Sequence, residues 1–190
     1  GKMTALTHGD FDHWLPAWSP DGRSIAFVSK RHGPDPDRNI DFDVFVVPAT
    51  GGEPRRLGDF AGSDMDPSWE SRLDWSPDSK RLVWLRSAED KWIYYAPQQM
   101  VVADVASGRA VQTAWIDRAV YHPRWSADGK ALLALIEQDR DTWLARVDPA
   151  SGKIAYLTRG ARFAYDFAVA RNGRVAVLDG TANAPYELRT

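Results

Sequence analysis

Short apolar runs, each preceded by a compact polar turn, set the rhythm of the chain. "IAFV" at 25–28, "LVWL" at 82–85, "LLALI" at 132–136 and "VAVL" at 175–178 follow this plan. The turn itself recurs, in "AWSPDGRSIAF" from 17, "DWSPDSKRLVW" from 74 and "RWSADGKALLA" from 124. Short apolar runs bounded by Gly, Pro, Asp and Ser read as buried strands. The phrases align on Trp18, Trp75 and Trp125, and a worn fourth copy, "VARNGRVAVL", carries Val169 in that place. Repetition at intervals of about 45 to 55 residues marks a repeated structural unit.

The repeated phrase predicts a hairpin. In Ser19-Pro20-Asp21-Gly22 the proline presets φ at the second turn position, while Ser19 and Asp21 can bond nearby backbone. Gly22 supplies a left-handed residue that lets the strands re-pair with a bulge. Ser79 replaces that glycine in the second copy, so strain or a shifted turn is expected there; Asn172-Gly173 retains the turn in the fourth.

A third strand is predicted after a variable loop: 44–47, 100–105, 143–147 and a shortened 186–188. Small turns ("PATGGE", "ASGR", "PASGK") then lead to fourth strands ending near Leu57, Val111 and Leu157. Four short antiparallel strands per repeat describe a propeller blade. A β-sandwich would give short strands too, but not the same turn at the same place four times. The fold class is therefore all-β: a β-propeller fragment of about three complete four-stranded antiparallel blades plus a partial flanking blade. "GKMTALT" at 1–7 matches "GKIAYLT" at 152–158, the last strand of a blade. The expected division is an outer strand of a preceding blade at 1–7, blades at 8–57, 58–113 and 114–158, and an incomplete blade at 159–190. This pattern suggests a piece of a longer protein whose exposed blade edges invite self-association.

Composition narrows the chemistry. The 190 residues carry a formal net charge of −2, which gives no reason to expect nucleic acid or a membrane surface as partner. No apolar run approaches the roughly 18 residues of a membrane span. Without cysteine, disulfides and thiolate chemistry are excluded, although the compartment is not identified. Three of the nine tryptophans, Trp18, Trp75 and Trp125, hold the aligned repeat position and are expected to pack between neighbouring blades.

Three stretches carry a more specific likeness: "FVSKRHGPDPDRNIDFDVFVVPATGGEPRRL" (27–57), "WIDRAVYHPRWSADGKALLALIEQDRDTWLARV" (115–147) and "DFAVARNGRVAVLDGTANAPYELRT" (166–190). They resemble the propeller of prolyl oligopeptidase-type serine peptidases, in particular acylaminoacyl-peptidase and dipeptidyl-aminopeptidase members, and the repeats also resemble those of TolB. The resemblance implies a propeller that gates substrate access, docks an α/β-hydrolase domain of the same chain carrying a Ser-Asp-His triad, and meets a peptide substrate. A TolB-like propeller that binds partner proteins without enzymatic activity is the alternative. Neither implies a cofactor. The chain itself lacks a G-x-S-x-G nucleophile elbow; "AGSDM" at 61–65 misses the second glycine. It also lacks H-E-x-x-H, so catalytic and metal-ligating residues are not expected.

In such a meander the loops from second to third strand emerge with the blade-to-blade connections at one end, which holds most of the long, charged and aromatic segments. Function concentrates where a rigid scaffold presents long loops. The candidate substrate or domain-docking residues there are Arg38, Asp117, Arg118, Glu137, Asp139 and Arg140. Asp35, Asp37, Asn39, Asp41 and Asp43 alternate as calcium ligands could. However, Ile40 and Val46 stand where an EF-type loop needs Gly and Glu, so charge pairing with Arg38 is the better reading. His8, Asp10, Asp12 and His13 have no spacing that would hold them on one face.

Overall fold

The structure, a computed structural model, describes residues 3–32, 35–92 and 95–190, apart from the side chains of Asp37 and Asp90. The corresponding parts of the readings at 1–7, at the calcium-like loop and at the long second-to-third-strand loops lie outside the described residues. Fifteen strands and three short 3₁₀ turns make up the described secondary structure, with no α-helix among it.

The first sheet comprises β1 (His13–Trp18), β2 (Ser24–Ser29), β3 (Asp43–Pro48) and β4 (Arg55–Arg56), paired in that order. The second repeats the plan with β5 (Asp74–Trp75), β6 (Arg81–Arg86), β7 (Gln99–Asp104) and β8 (Ala110–Gln112). The third consists of β9 (Val120–Trp125), β10 (Leu132–Gln138), β11 (Asp141–Val147) and β12 (Ile154–Tyr156). A last meander, β13 (Phe163–Val169), β14 (Val175–Thr181) and β15 (Ala184–Arg189), joins the third sheet through a single parallel bridge from Thr142 to Phe163. Pairing within each meander is antiparallel, as in propeller blades.

The turns behave as their chemistry demands. Gly22, Gly129 and Gly173 have φ of +69°, +65° and +84°. Ser79 holds the same left-handed position at +61°, so the second copy keeps the turn and takes the strain. The Ser19 hydroxyl donates to Asp21 Oδ1 (2.7 Å) and accepts from Ser24 N (2.9 Å). Ser76 and Ser126 repeat both bonds with Asp78 and Arg81, and with Asp128 and Ala131. A local network of this kind stabilises each hairpin independently of its surroundings.

The apolar runs on β6 and β10 are buried on both faces because sheets stack on both sides of them, whereas β2 has a sheet on one side only. Ala26 and Val28 face the second sheet as part of a core that continues through Leu82, Trp84 and Met100 to Leu132 and Ile136. Leu133, Leu135 and Leu144 pack on Ala164, Phe167 and Val177 of the last meander. The far face of the first sheet buries Phe27, Phe45 and Val47, with the Arg31 guanidinium over the rings of Phe45 and Phe11 at 4.6 and 4.9 Å.

The equivalent tryptophans do not share one fate. Trp75 (6 % exposed) donates Nε1 to the Ala17 carbonyl of the first sheet at 3.0 Å. Trp125 (3 % exposed) lies under the Arg81 guanidinium of the second sheet at 4.2 Å. Trp18, expected in the same role, is 61 % exposed. Trp75 and Trp125 each pack on the sheet before their own, and no sheet among the described residues precedes that of Trp18. Residues 3–7 enter no strand ladder; the Leu6 side chain lies beside Gly51 in the β3–β4 turn.

Candidate functional site

Strand register fixes which residues share the loop-rich end. Val120 pairs with Ile136, and Glu137 N donates to the Ala119 carbonyl at 3.0 Å. The connection carrying Asp117 and Arg118 therefore runs beside the β10–β11 turn, which carries Asp139 and Arg140. Asp139 holds that turn at φ +51°. Glu137 accepts from the Tyr121 hydroxyl at 3.4 Å, and Arg118 donates to the Asp117 carbonyl at 2.6 Å. Asp117, Arg118, Asp139 and Arg140 are solvated. Arg38 stands apart, in the β2–β3 loop of the first sheet, and pairs with Asp35 at 3.0 Å. Five of the six expected residues are thus brought to one rim, and the sixth lies on another sheet.

Three carboxylates near this end, Asp64, Asp179 and Asp43, are buried, and the repeat pattern did not reveal them. Asp64, in the connection before β5, accepts from Trp84 Nε1 (2.8 Å) and from Arg86 Nε and Nη2 (2.6 and 2.9 Å). Its neighbour Ser63 is fully buried, so "AGSDM" is a packed structural link and not an exposed nucleophile. Asp179 is clasped by Arg162 and Arg189 at 2.5 and 2.7 Å. Asp43 is held by Arg56 at 2.6 Å and His32 Nε2 at 2.5 Å. Burial still pushes the Asp43 carboxyl up from its ordinary range, outweighing the attraction of Arg56 and His32.

Among the described residues, His32, Asp41 and Asp43 are the group whose ligand atoms approach within 4.8 Å of one another. Arg56 pairs with Asp43 there at 2.6 Å, so the carboxylate is charge-paired within its own loop region. His13, from the other metal-like stretch, contacts the Ser29 hydroxyl at 3.1 Å and packs on Phe27.

The inner strands β9 and β13, with the segment that leads into β5, build a polar cleft. A cavity of about 360 Å³ is lined by Glu70, Arg72, His122, Arg124, Tyr165 and Asp166, drawn from three successive repeats. It adjoins a second cavity of about 410 Å³ toward the loops, where Trp69, Tyr121, Phe163 and Tyr186 supply aromatic walls. His122 sits at φ +51° in a bulge of β9, before Pro123. Burial lowers the pKa of this imidazole, with Asp166 and Glu70 pulling the other way. Asp74, one residue before Trp75, turns its carboxylate to the next sheet and accepts from Trp125 N at 2.6 Å; burial raises its pKa. A third hollow, of about 640 Å³, lies at the opposite end between Pro20, Pro77 and Ala127 of the hairpin turns and Arg171. Sequence reasoning assigned function only to the long-loop end and missed both the cleft and this hollow. The available signal was the charged residue just before the repeat tryptophan, Asp74 and Arg124, where the first copy has Ala17.

Comparison with known proteins places these features. The family described as the TolB beta propeller domain matches residues 1–188. Dipeptidyl-peptidase 5 of Porphyromonas gingivalis is 28% identical over 156 residues, covering 80% of this chain and 22% of the relative. Among solved structures, puromycin hydrolase superposes with a TM-score of 0.72 at 21% identity, over 97% of this chain and 30% of the other. TolB from Acinetobacter baumannii gives 0.68 at 17% identity, over 93% and 40%. The chain spans about a fifth of the length of that dipeptidyl-peptidase.

Proposed function

We propose, because the chain belongs to the TolB beta propeller domain family, that it is the non-catalytic propeller part of an oligopeptidase-class serine peptidase. In this role it gates the approach of peptides and docks an α/β-hydrolase domain of the same protein. The observation that carries the reading is the cleft of Glu70, Arg72, His122 and Arg124, which opens past Trp69 and Tyr121 toward the loop-rich end. A cleft with polar groups on one side and aromatic rings on the other suits peptides, which present both kinds of surface. The rim of Asp117, Arg118, Glu137, Asp139 and Arg140 would meet the hydrolase domain, with Arg38 serving the same face from the first sheet. Likeness to a dipeptidyl-peptidase over 80% of this chain supports the peptidase assignment. The likeness in fold to TolB favours the second reading, a partner-binding propeller without enzymatic activity.

A labelling experiment separates the two. Lysate of the source cells is treated with a fluorophosphonate probe, which marks active serine hydrolases, and antibody raised against this chain recovers its parent. The peptidase reading expects a probe-labelled species well above 21.3 kDa, whereas the purified chain turns over no aminoacyl chromogenic substrate. An antibody-reactive protein that never takes the probe would refute it in favour of the second reading.

A further inference from the structure

We infer that the cleft between the segment leading into β5 and the inner strands β9 and β13 seats a peptide carboxylate on Arg72 and Arg124 and receives an aromatic side chain in the adjoining hollow. The inference rests on the peptidase reading only for the source of the peptide.

The two cavities share Glu70, His122 and Tyr165, so one ligand can occupy both. The choice of charge follows from which groups are already engaged. Asp166 accepts from Phe167 N at 2.7 Å and faces Arg124 at 3.9 Å. Nearby Asp74 is bonded to Trp125 N. The donors are less well served. Arg124 Nε is buried with no acceptor, and Arg72 makes neither an ion pair nor a hydrogen bond among the described residues.

A guanidinium edge without an acceptor matches a carboxylate, whose two oxygens can take paired N–H bonds. Glu70 stands at the rim on a left-handed residue (φ +54°) that ends the 3₁₀ turn Pro67–Trp69, and its charge would favour a cation instead. It is exposed, however, whereas the Arg124 donor is enclosed, and an enclosed charge acts more strongly than a solvated one. The aromatic walls, Trp69, Tyr121 and Tyr165, offer edges and faces to a ring. His122, set between the two cavities in a strained backbone conformation, reports on both.

Three small probes test the assignment on the 190-residue chain: N-acetylphenylalanine, its amide, and phenylalanine amide. Binding is followed through the His122 ring resonances, assigned with His122→Gln. N-acetylphenylalanine is expected to shift them saturably and to raise the pH midpoint of His122, because a bound anion favours the imidazolium. The neutral amide should bind about tenfold more weakly. Arg72→Gln should weaken the acid by a similar factor while leaving the thermal midpoint unchanged, since Arg72 is exposed and makes no bond. Equal binding of acid and amide, preference for the cationic phenylalanine amide, or absence of any shift overturns the inference. Absence of a shift alongside a probe-labelled parent would remove the seat and leave the peptidase reading standing.

Discussion

Trp125→Ala and Trp18→Ala alter the same position of the repeat, yet they should differ widely in cost. Trp125 is 3 % exposed and Trp18 is 61 % exposed. A buried tryptophan side chain removes about 200 Å² from water, worth roughly 5 kcal/mol at about 25 cal/mol/Å² as an upper bound. The Arg81 guanidinium, 4.2 Å from the ring, would lose a partner worth about 0.5 to 2 kcal/mol. Set against measured core truncations, the expected loss for Trp125→Ala is about 3 to 5 kcal/mol. Trp18→Ala should cost about 1 kcal/mol or less. With a urea slope near 2 kcal/mol/M, the two midpoints should differ by about 1 to 2 M. Phenylalanine variants sharpen the test. Trp75→Phe removes a bond to the Ala17 carbonyl, whereas Trp125 Nε1 is buried without an acceptor, so Trp125→Phe should be the milder change. Equal midpoints for the two alanine variants would refute the argument that Trp125 packs on the sheet before its own.

Ser79→Gly should stabilise the chain by about 0.5 kcal/mol, because relief at φ +61° exceeds the lost bond from Asp21 N to Ser79 Oγ; a lower thermal midpoint would contradict this. The Ser126 hydroxyl, with Lys130 N, holds the Asp128 carboxyl down at about 2. Its contribution is complete above the unfolded value near 4 and is lost as pH falls toward 2, so Asp128→Asn should flatten that part of a urea-midpoint profile. Asp74 has the opposite sign: burial raises its pKa, so stability falls as pH climbs from about 4 through the folded value. Asp74→Asn, which keeps an acceptor for Trp125 N, should abolish that decline. The unpaired edge of β15, with Tyr186 and Leu188 exposed, should drive self-association, seen as apparent mass rising with concentration in light scattering. Leu188→Lys should suppress the rise, and a concentration-independent monomer would refute the expectation.

The hairpins were legible in the sequence because the interactions that make them are local. Ser19, Asp21 and Gly22 lie within a few residues of the backbone groups they satisfy, and the same spacing recurs at Ser76 and Ser126. The apolar runs after each turn carry the strand assignment in the same way, since burial on both faces leaves no room for alternation. Sequence also anticipated that Asp117, Arg118, Asp139 and Arg140 would share one rim, which follows from loop position once the meander is recognised, whereas Glu137 lies on β10. What each repeat packs against could not be read locally. Identical phrases place Trp125 in the core and Trp18 in solvent, because burial is decided by whichever sheet lies alongside. The buried ion pairs join residues far apart in sequence, as in Asp64 with Arg86, and no spacing rule announces them. The cleft is the clearest case. Arg72, His122 and Asp166 come from three different repeats, and only the stacking of their inner strands brings their charges onto one surface.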